Sequence, residues 1–245
     1  MIYQGSKARL AKYINPIINK IIKENNIYTF VDACCGGCNI IANPKYPIKA
    51  KELLAYDNNK YLIALLNKFK YNKPNLFEMG RITKEDYERT KDKVINNKEV
   101  TEWYAGFVGF FTTFGAGFFN GFVNEEVTKR NRVELCYNNI IKQNFSEIDI
   151  VNKDVFDINI KNALIYIDPP YTNTKKYKTN FDYQKFWDKT KELAKDNIVL
   201  VSEQTLPQNI DYEILFEKEL KMTMNRHGSY RTRKEYLIKI NGDNR

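Results

Sequence analysis

Two periods of apolar and polar residues run along the 245-residue chain. Residues 10–24 (LAKYINPIINKIIKE) place Ile and Leu at helical spacing with lysines opposite, and Pro16 marks a candidate restart inside that helix. A strand-like run at 27–31 then ends at Asp32 and a cluster of Cys and Gly, the pattern of a β-strand turning into a helix. The pattern repeats. Residues 53–56 end at Asp57, and NNKYLIALLNKF returns to helical spacing; residues 163–167 (ALIYI) end at Asp168, with a helix expected around 182–195. A strand at 198–202 (IVLVS) follows, and strand-like runs at 212–217 and 235–240 flank a basic loop, which predicts a closing hairpin. This rhythm predicts an α/β fold. It lapses between about 71 and 145 into charged helical stretches, a Gly- and Phe-rich tract and another helix, the mark of an insertion or a second small domain.

The tract at 103–123 (WYAGFVGFFTTFGAGFFNGFV) has no charge and is long enough to span a bilayer. Its five glycines, paired threonines and Asn120 make a poor membrane helix, so it is expected to be a loop-rich aromatic segment packed on the core or against a ligand.

Composition narrows the class. Hydrophobic residues at 43% and aromatics at 14% exclude disorder as an overall description. Lys and Arg number 39 against 30 acids, a net charge of +9 that favours a polyanionic partner. No signal-peptide pattern opens the sequence, and Cys34, Cys35, Cys38 and Cys136 do not form a disulfide framework; a reducing, cytoplasmic setting is expected. With His227 the single histidine, metal chemistry that needs several imidazoles is disfavoured.

The sharpest chemical signal is Asp168-Pro169-Pro170-Tyr171 after an apolar strand, where open α/β sheets bind ligands. The prolines remove two N–H donors and leave carbonyl acceptors beside the carboxylate, with an aromatic face next to them. Such a pocket suits a planar ring bearing an amino group; the plainer reading is a proline turn with an N-capping Asp. In FVDACCGGCN the glycines would let a ligand approach the backbone, and Asp32 could accept from an ammonium group. A zinc site on the three cysteines competes with this, but no fourth soft ligand stands nearby. Asp57 ends a strand where nucleotide-binding βαβ units place the acid that takes ribose hydroxyls, or it caps a helix. Asp154-Val155-Phe156 offers an acceptor and an apolar face, or an ordinary turn. In Tyr3-Gln4-Gly5-Ser6-Lys7 the lysine could pair with a carboxylate and Tyr3 present a face to a cation.

Together YQGSK, FVDACCGGCN, YDNN, DVF and DPPY resemble, in order and in strand-end position, the Dam-like (D12 class, alpha-ordered) adenine-specific DNA methyltransferases of phages and bacteria. The resemblance spans about 1–70 and 150–245 and implies a Rossmann-like class I S-adenosylmethionine-dependent methyltransferase fold. By that likeness 1–70 and 146–245 form the catalytic domain, and 71–145 is a mainly helical target-recognition insertion. Tyr3, Lys7, Asp32, Cys34, Gly36, Asp57, Asp154, Val155 and Asp168 fall at cofactor-binding positions, with S-adenosylhomocysteine the product and no metal expected. Asp168, Pro169, Pro170 and Tyr171 fall on the catalytic tetrapeptide. The family pattern DxFxGxG is altered here, with Cys34 for Phe and Cys38 for the last Gly.

The chemistry agrees: adenine N6 is a poor nucleophile, and bonds from its hydrogens to the Asp168 carboxylate and the Pro169 carbonyl would raise its reactivity. A duplex hides N6, so the base must be flipped out, with Tyr171 the candidate stacking face. Double-stranded DNA would then meet the basic stretches Lys129-Arg130-Asn131-Arg132 and 226–234, with Arg226, Arg231 and Arg233, unless these are solvated charged faces. The resemblance leaves room for a cognate restriction endonuclease as partner and for a monomer or weak dimer. Cytosine-N4 methylation, and an inactive DNA-binding protein of the same fold, are the rival readings.

Overall fold

Seven strands form one sheet in the order β3-β2-β1-β4-β5-β7-β6. They are β1 (Thr29–Asp32), β2 (Glu52–Asp57), β3 (Ile148–Asn152), β4 (Ala163–Ile167), β5 (Ile198–Glu203), β6 (Tyr212–Thr223) and β7 (Tyr230–Ile240). The computed structural model describes residues 1–123, 131–170, 181–223 and 230–242, with the side chains of residues 78, 221–223, 230 and 231 excepted. The strands β3, β2, β1, β4 and β5 are mutually parallel, and β7 enters antiparallel to β5 and pairs with β6. This is the α/β fold expected, with its closing hairpin.

Burial follows the period of two. Phe30, Leu164, Tyr166 and Leu200 enter a core on one face, while Val31, Ile165, Ile167, Val199 and Val201 enter a second core on the other. Strands covered on both sides therefore read as unbroken apolar runs. The first face carries α1 (Ala11–Glu24), α2 (Lys60–Tyr71) and α5 (Glu102–Phe111); the second carries α7 (Tyr183–Ala194) through Phe186 and Leu193. In α1 the buried stripe is Ala11, Ile14, Asn15, Ile18 and Ile22. The helix runs unbroken through Pro16, so the restart expected there does not occur.

The segment between β2 and β3 holds α2, α3 (Leu76–Met79), α4 (Lys84–Ile95), α5 and α6 (Arg132–Ile140). Thr83 and Asp86 close a capping box on α4. The first half of the 103–123 tract is a buried helix rather than the expected loop, because Ala105, Phe107, Val108, Phe110 and Phe111 find apolar partners around the whole helix circumference. Gly106 lies so close to the Tyr61 carbonyl of α2 that a Cβ has no room, which fixes glycine at this crossing. Among the described residues no helix is long and apolar enough to cross a membrane.

Two further expectations change. No regular helix follows β1: residues 36–42 form turns, since Gly36 (φ 48°) and Cys38 (φ 54°) are left-handed and interrupt right-handed propagation. The closing strands are also longer than the apolar runs, so Arg231 and Arg233 belong to β7 and not to a loop.

Candidate active site

Four carboxylates mark the carboxyl ends of neighbouring strands: Asp32 on β1, Asp57 on β2, Asp168 just after β4 and Glu203 on β5. Beside them opens a cavity of about 550 Å³, within the roughly 300–1,000 Å³ typical of small-molecule sites. Its wall includes Tyr3, Lys7, Asp32, Cys34, Gly36, Asp57, Asp154, Val155, Asp168, Pro169 and Pro170, so the structure brings together the described cofactor and catalytic candidates.

The turn after β1 is held from several sides. Ala33 N–H donates to the Tyr166 carbonyl (2.9 Å) and Cys35 N–H to the Tyr56 carbonyl (2.8 Å), tying the turn to β4 and β2. The Asp57 carboxylate accepts from Gly36 N–H (3.1 Å) and Asn59 N–H (2.9 Å). Helix α2 is capped by Asn59, whose side chain accepts from the Tyr61 and Leu62 amides, so Asp57 is not the cap. Asp57 instead fixes the glycine turn and borders the cavity. Cys38, at φ 54° and fully buried, adopts the backbone conformation a glycine would take at that position. Gln143 Nε2 donates to the carbonyls of Gly37 (2.8 Å) and Cys38 (3.0 Å), so the end of the segment between β2 and β3 also holds the turn. A Cβ on Gly36 would fall 2.6 Å from the Tyr3 ring, which lies over this glycine and against Phe110 (5.7 Å between centroids).

Lys7 Nζ, almost fully buried, donates to Asp168 Oδ1 at 2.7 Å, the carboxylate pairing that its sequence allowed. The same ammonium stands 3.6 Å from Glu235 of β7, which also takes Arg233 Nη2 (3.0 Å) and Gln204 Nε2 (3.0 Å). The Tyr183 hydroxyl of α7 donates to the Pro170 carbonyl, and the Tyr166 and Ser202 hydroxyls share a buried bond of 2.8 Å. Asp154 accepts from Asn58 Nδ2 (3.1 Å) and Phe156 N–H (3.0 Å).

Burial pushes the Asp168 carboxyl above the usual carboxylate range; Lys7 pulls it back, Glu235 pushes it up and Arg233 pulls it down. Asp32 lies well above that range, first from burial and then from the charge of Asp168, with the Ile41 amide opposing. Asp57 rises through burial against its two amide bonds. Glu203 is pushed up to about 7 by burial and, in part, by Asp168. A cation in the cavity beside Asp32, Asp57 and Asp168 offsets their mutual repulsion and favours their charged forms, whereas an anion does not. The Cys34 thiol is driven well up by burial and the surrounding acids, which keeps it protonated and unreactive. Among the described residues no group of three or more His, Cys, Asp or Glu is placed to hold a metal ion.

The DNA candidates are more scattered. Asn131 caps α6 by accepting from Glu134 N–H (2.8 Å), and Arg132 is half-buried with Nε and Nη2 shielded from solvent. Arg233 faces Glu235, and Arg231 lies in β7. Tyr171, Lys129, Arg130, Arg226 and His227 lie outside the described residues.

Several wall and support residues escape the sequence reading. Glu203 carries the same signal as the recognised acids, an acid closing an apolar strand, one position beyond the run IVLVS. Phe110, Gly117, Phe118 and Asn120 of the aromatic tract also reach the cavity. Glu235, Gln143 and Tyr183 act across long sequence separations and carry no local signal.

The sequence pattern of the D12 class N6 adenine-specific DNA methyltransferases matches residues 3–205. No curated protein sequence matches the chain significantly. Among solved structures, a Pyrococcus horikoshii protein assigned as an RNA methyltransferase is 10% identical, with a TM-score of 0.43 over 96% of this chain and 85% of that one. The rRNA methyltransferase aviRa of Streptomyces viridochromogenes is 13% identical, with a TM-score of 0.40 over 95% and 84%.

Proposed function

The chain belongs to the D12 class N6 adenine-specific DNA methyltransferases, and on that footing we propose that it methylates N6 of a flipped-out adenine in double-stranded DNA by direct, in-line transfer. The observation that carries this reading is the Asp168 carboxylate, held through Oδ1 by Lys7 beside the Pro169 carbonyl at the cavity wall.

The residues present fit S-adenosylmethionine. Tyr3 packs over Gly36 where no Cβ fits, so the glycine turn and this ring together form one wall of the roughly 550 Å³ cavity; the surrounding acids favour a cationic ligand, and Asp57 stands at the end of the second strand where a ribose is taken. In this reading Asp32 and the turn around Cys34 and Gly36 face the methionine part, Asp57 the ribose, and Asp154 with Val155 the adenine of the cofactor. Bound S-adenosylmethionine supplies an electrophilic methyl group on a sulfonium and leaves as S-adenosylhomocysteine.

With Oδ1 engaged by Lys7, Oδ2 of Asp168 accepts one hydrogen of the target amino group and the Pro169 carbonyl accepts the other. Both bonds strengthen as positive charge develops on N6, so they favour the transition state over the ground state; once the N–CH3 bond has formed and the S–CH3 bond has broken, the surplus N6 proton passes to the Asp168 carboxylate and on to solvent. Prolines at 169 and 170 keep the backbone here free of competing donors, and the Tyr183 hydroxyl fixes the Pro170 carbonyl. Tyr171 stacks on the flipped base. Residues 71–145 read the target sequence, and the basic stretches 129–132 and 226–234 meet phosphates.

Purified protein incubated with duplex DNA and methyl-labelled S-adenosylmethionine should place label in N6-methyladenine after nuclease digestion. Label in cytosine, or none, overturns the reading. Asp168→Ala should abolish transfer, with circular dichroism separating lost chemistry from the stability cost of leaving Lys7 without its 2.7 Å partner.

A further inference from the structure

We propose that Glu235, on the closing hairpin, is a positioning residue for methyl transfer: it holds the Lys7 ammonium against Asp168 and thereby keeps the second carboxylate oxygen turned toward the target base. The proposal deepens the function proposed above and rests on the catalytic role given there to Asp168.

The geometry is a buried relay of alternating charge. Glu235 is 1% exposed, Lys7 5%, and their contact of 3.6 Å continues into the 2.7 Å bond from Lys7 to Asp168. On its other side Glu235 accepts from Arg233 (3.0 Å) and from Gln204 (3.0 Å), which anchors it between β5 and β7. A lysine side chain has four methylenes and swings readily, and a second anion on the ammonium restrains it beyond what Asp168 does alone. Among the groups that interact electrostatically with Asp168 are Lys7, Arg233, Glu235, Glu203, Asp32, Tyr166 and Cys34, with Lys218 of β6 opposite Glu235 in register.

A charge at 235 opposes ionisation of Asp168, so its removal has a defined electrical signature. Glu235→Gln should lower kcat about tenfold, the size expected when a reacting group is slightly misplaced. KM for S-adenosylmethionine should stay unchanged, and the acidic limb of the kcat profile should move to lower pH. Glu235→Asp keeps the charge but withdraws it by one methylene; its kcat should lie between wild type and Glu235→Gln, with the acidic limb where wild type has it. A wild-type kcat in Glu235→Gln overturns the proposal. So does a lowered melting temperature in both variants without movement of the limb, which would mark a purely structural role. Should Glu235→Gln not fold, Glu235→Asp decides: reduced kcat at unchanged KM supports positioning, and wild-type kcat overturns it. Asp168→Ala is assayed alongside. If it still transfers methyl groups, the catalytic reading of Asp168 fails whatever Glu235→Gln does.

Discussion

Replacing Lys7 by methionine removes the charge but keeps much of the volume, and the consequences can be worked from the surroundings of Asp168. Lys7 and Asp168 meet at 2.7 Å with side chains 4% and 19% exposed, so this is a buried pair, not a surface one. Removing one partner of such a pair costs about 3–5 kcal/mol, because the other charge stays buried. Asp168 can escape part of that cost by taking up a proton, at about 1.4 kcal/mol per pKa unit. Lys7 is the largest influence holding this carboxyl down against burial, so its loss sends Asp168 further up. A protonated Asp168 loses acceptor strength toward the amino group, and Lys7→Met should lower kcat about a hundredfold near neutral pH, the size seen for loss of one preorganised polar contact. The acidic limb should move to higher pH, opposite to the shift expected of Glu235→Gln. Stability carries the same signature. A carboxyl whose folded-state pKa is raised contributes stability below its unfolded value and loses it as pH rises through the folded value. The variant should therefore lose more stability at pH 8 than at pH 5, read as urea midpoints at the two pH values. A Lys7→Met enzyme with the wild-type acidic limb and an equal stability loss at both pH values would refute the electrostatic account.

Other substitutions probe separate parts of the structure. Gly36→Ala would put a Cβ 2.6 Å from the Tyr3 ring at φ 48°, so calorimetry should show S-adenosylmethionine binding weakened at least tenfold, beyond the roughly 1–2 kcal/mol of left-handed strain. Asp57→Ala strands the Gly36 and Asn59 amides and removes the proposed ribose acceptor, and should raise KM for S-adenosylmethionine about 10–100-fold at nearly constant kcat. Glu203, pushed up from 4.5 to about 7 and nearly fully buried, contributes stability that is present below pH 4.5 and lost as pH rises through 7. Glu203→Gln should accordingly flatten the pH dependence of the urea midpoint by an amount equivalent to roughly 3 kcal/mol between pH 4.5 and 8. Gly106→Ala presses a methyl onto the Tyr61 carbonyl where α2 and α5 cross, and should lower the melting temperature through an overpacking cost of about 1–3 kcal/mol.

What the sequence makes legible follows how locally each feature is encoded. The strands β1, β4 and β5 are buried on both faces and β2 is buried at Ala55 and Tyr56, so all four stand out as short apolar runs, and the acid that closes β1, β2 and β4 is readable where the run stops. Glu203 shows the same rule from its failing side, since a boundary placed one residue short hides an acid of the same kind. The turn after β1 is misread as leading into a helix because left-handed φ at Cys38 is imposed by tertiary contact: Gln143, 105 residues away, holds its carbonyl. Even so, the consequence of replacing glycine there is readable once the backbone is known, because the conformation is retained and the added side chain is buried. Least legible is the charge relay. Lys7 and Asp168 are 161 residues apart, and only the parallel order of β1, β4 and β5 with the returning hairpin brings them to Glu235. Residue types allow a lysine to be matched with some carboxylate; topology decides which one. The relay therefore separates what motifs can carry from what they cannot: a tetrapeptide names the acceptors at the cavity wall, and the sheet order names the residues packed against them.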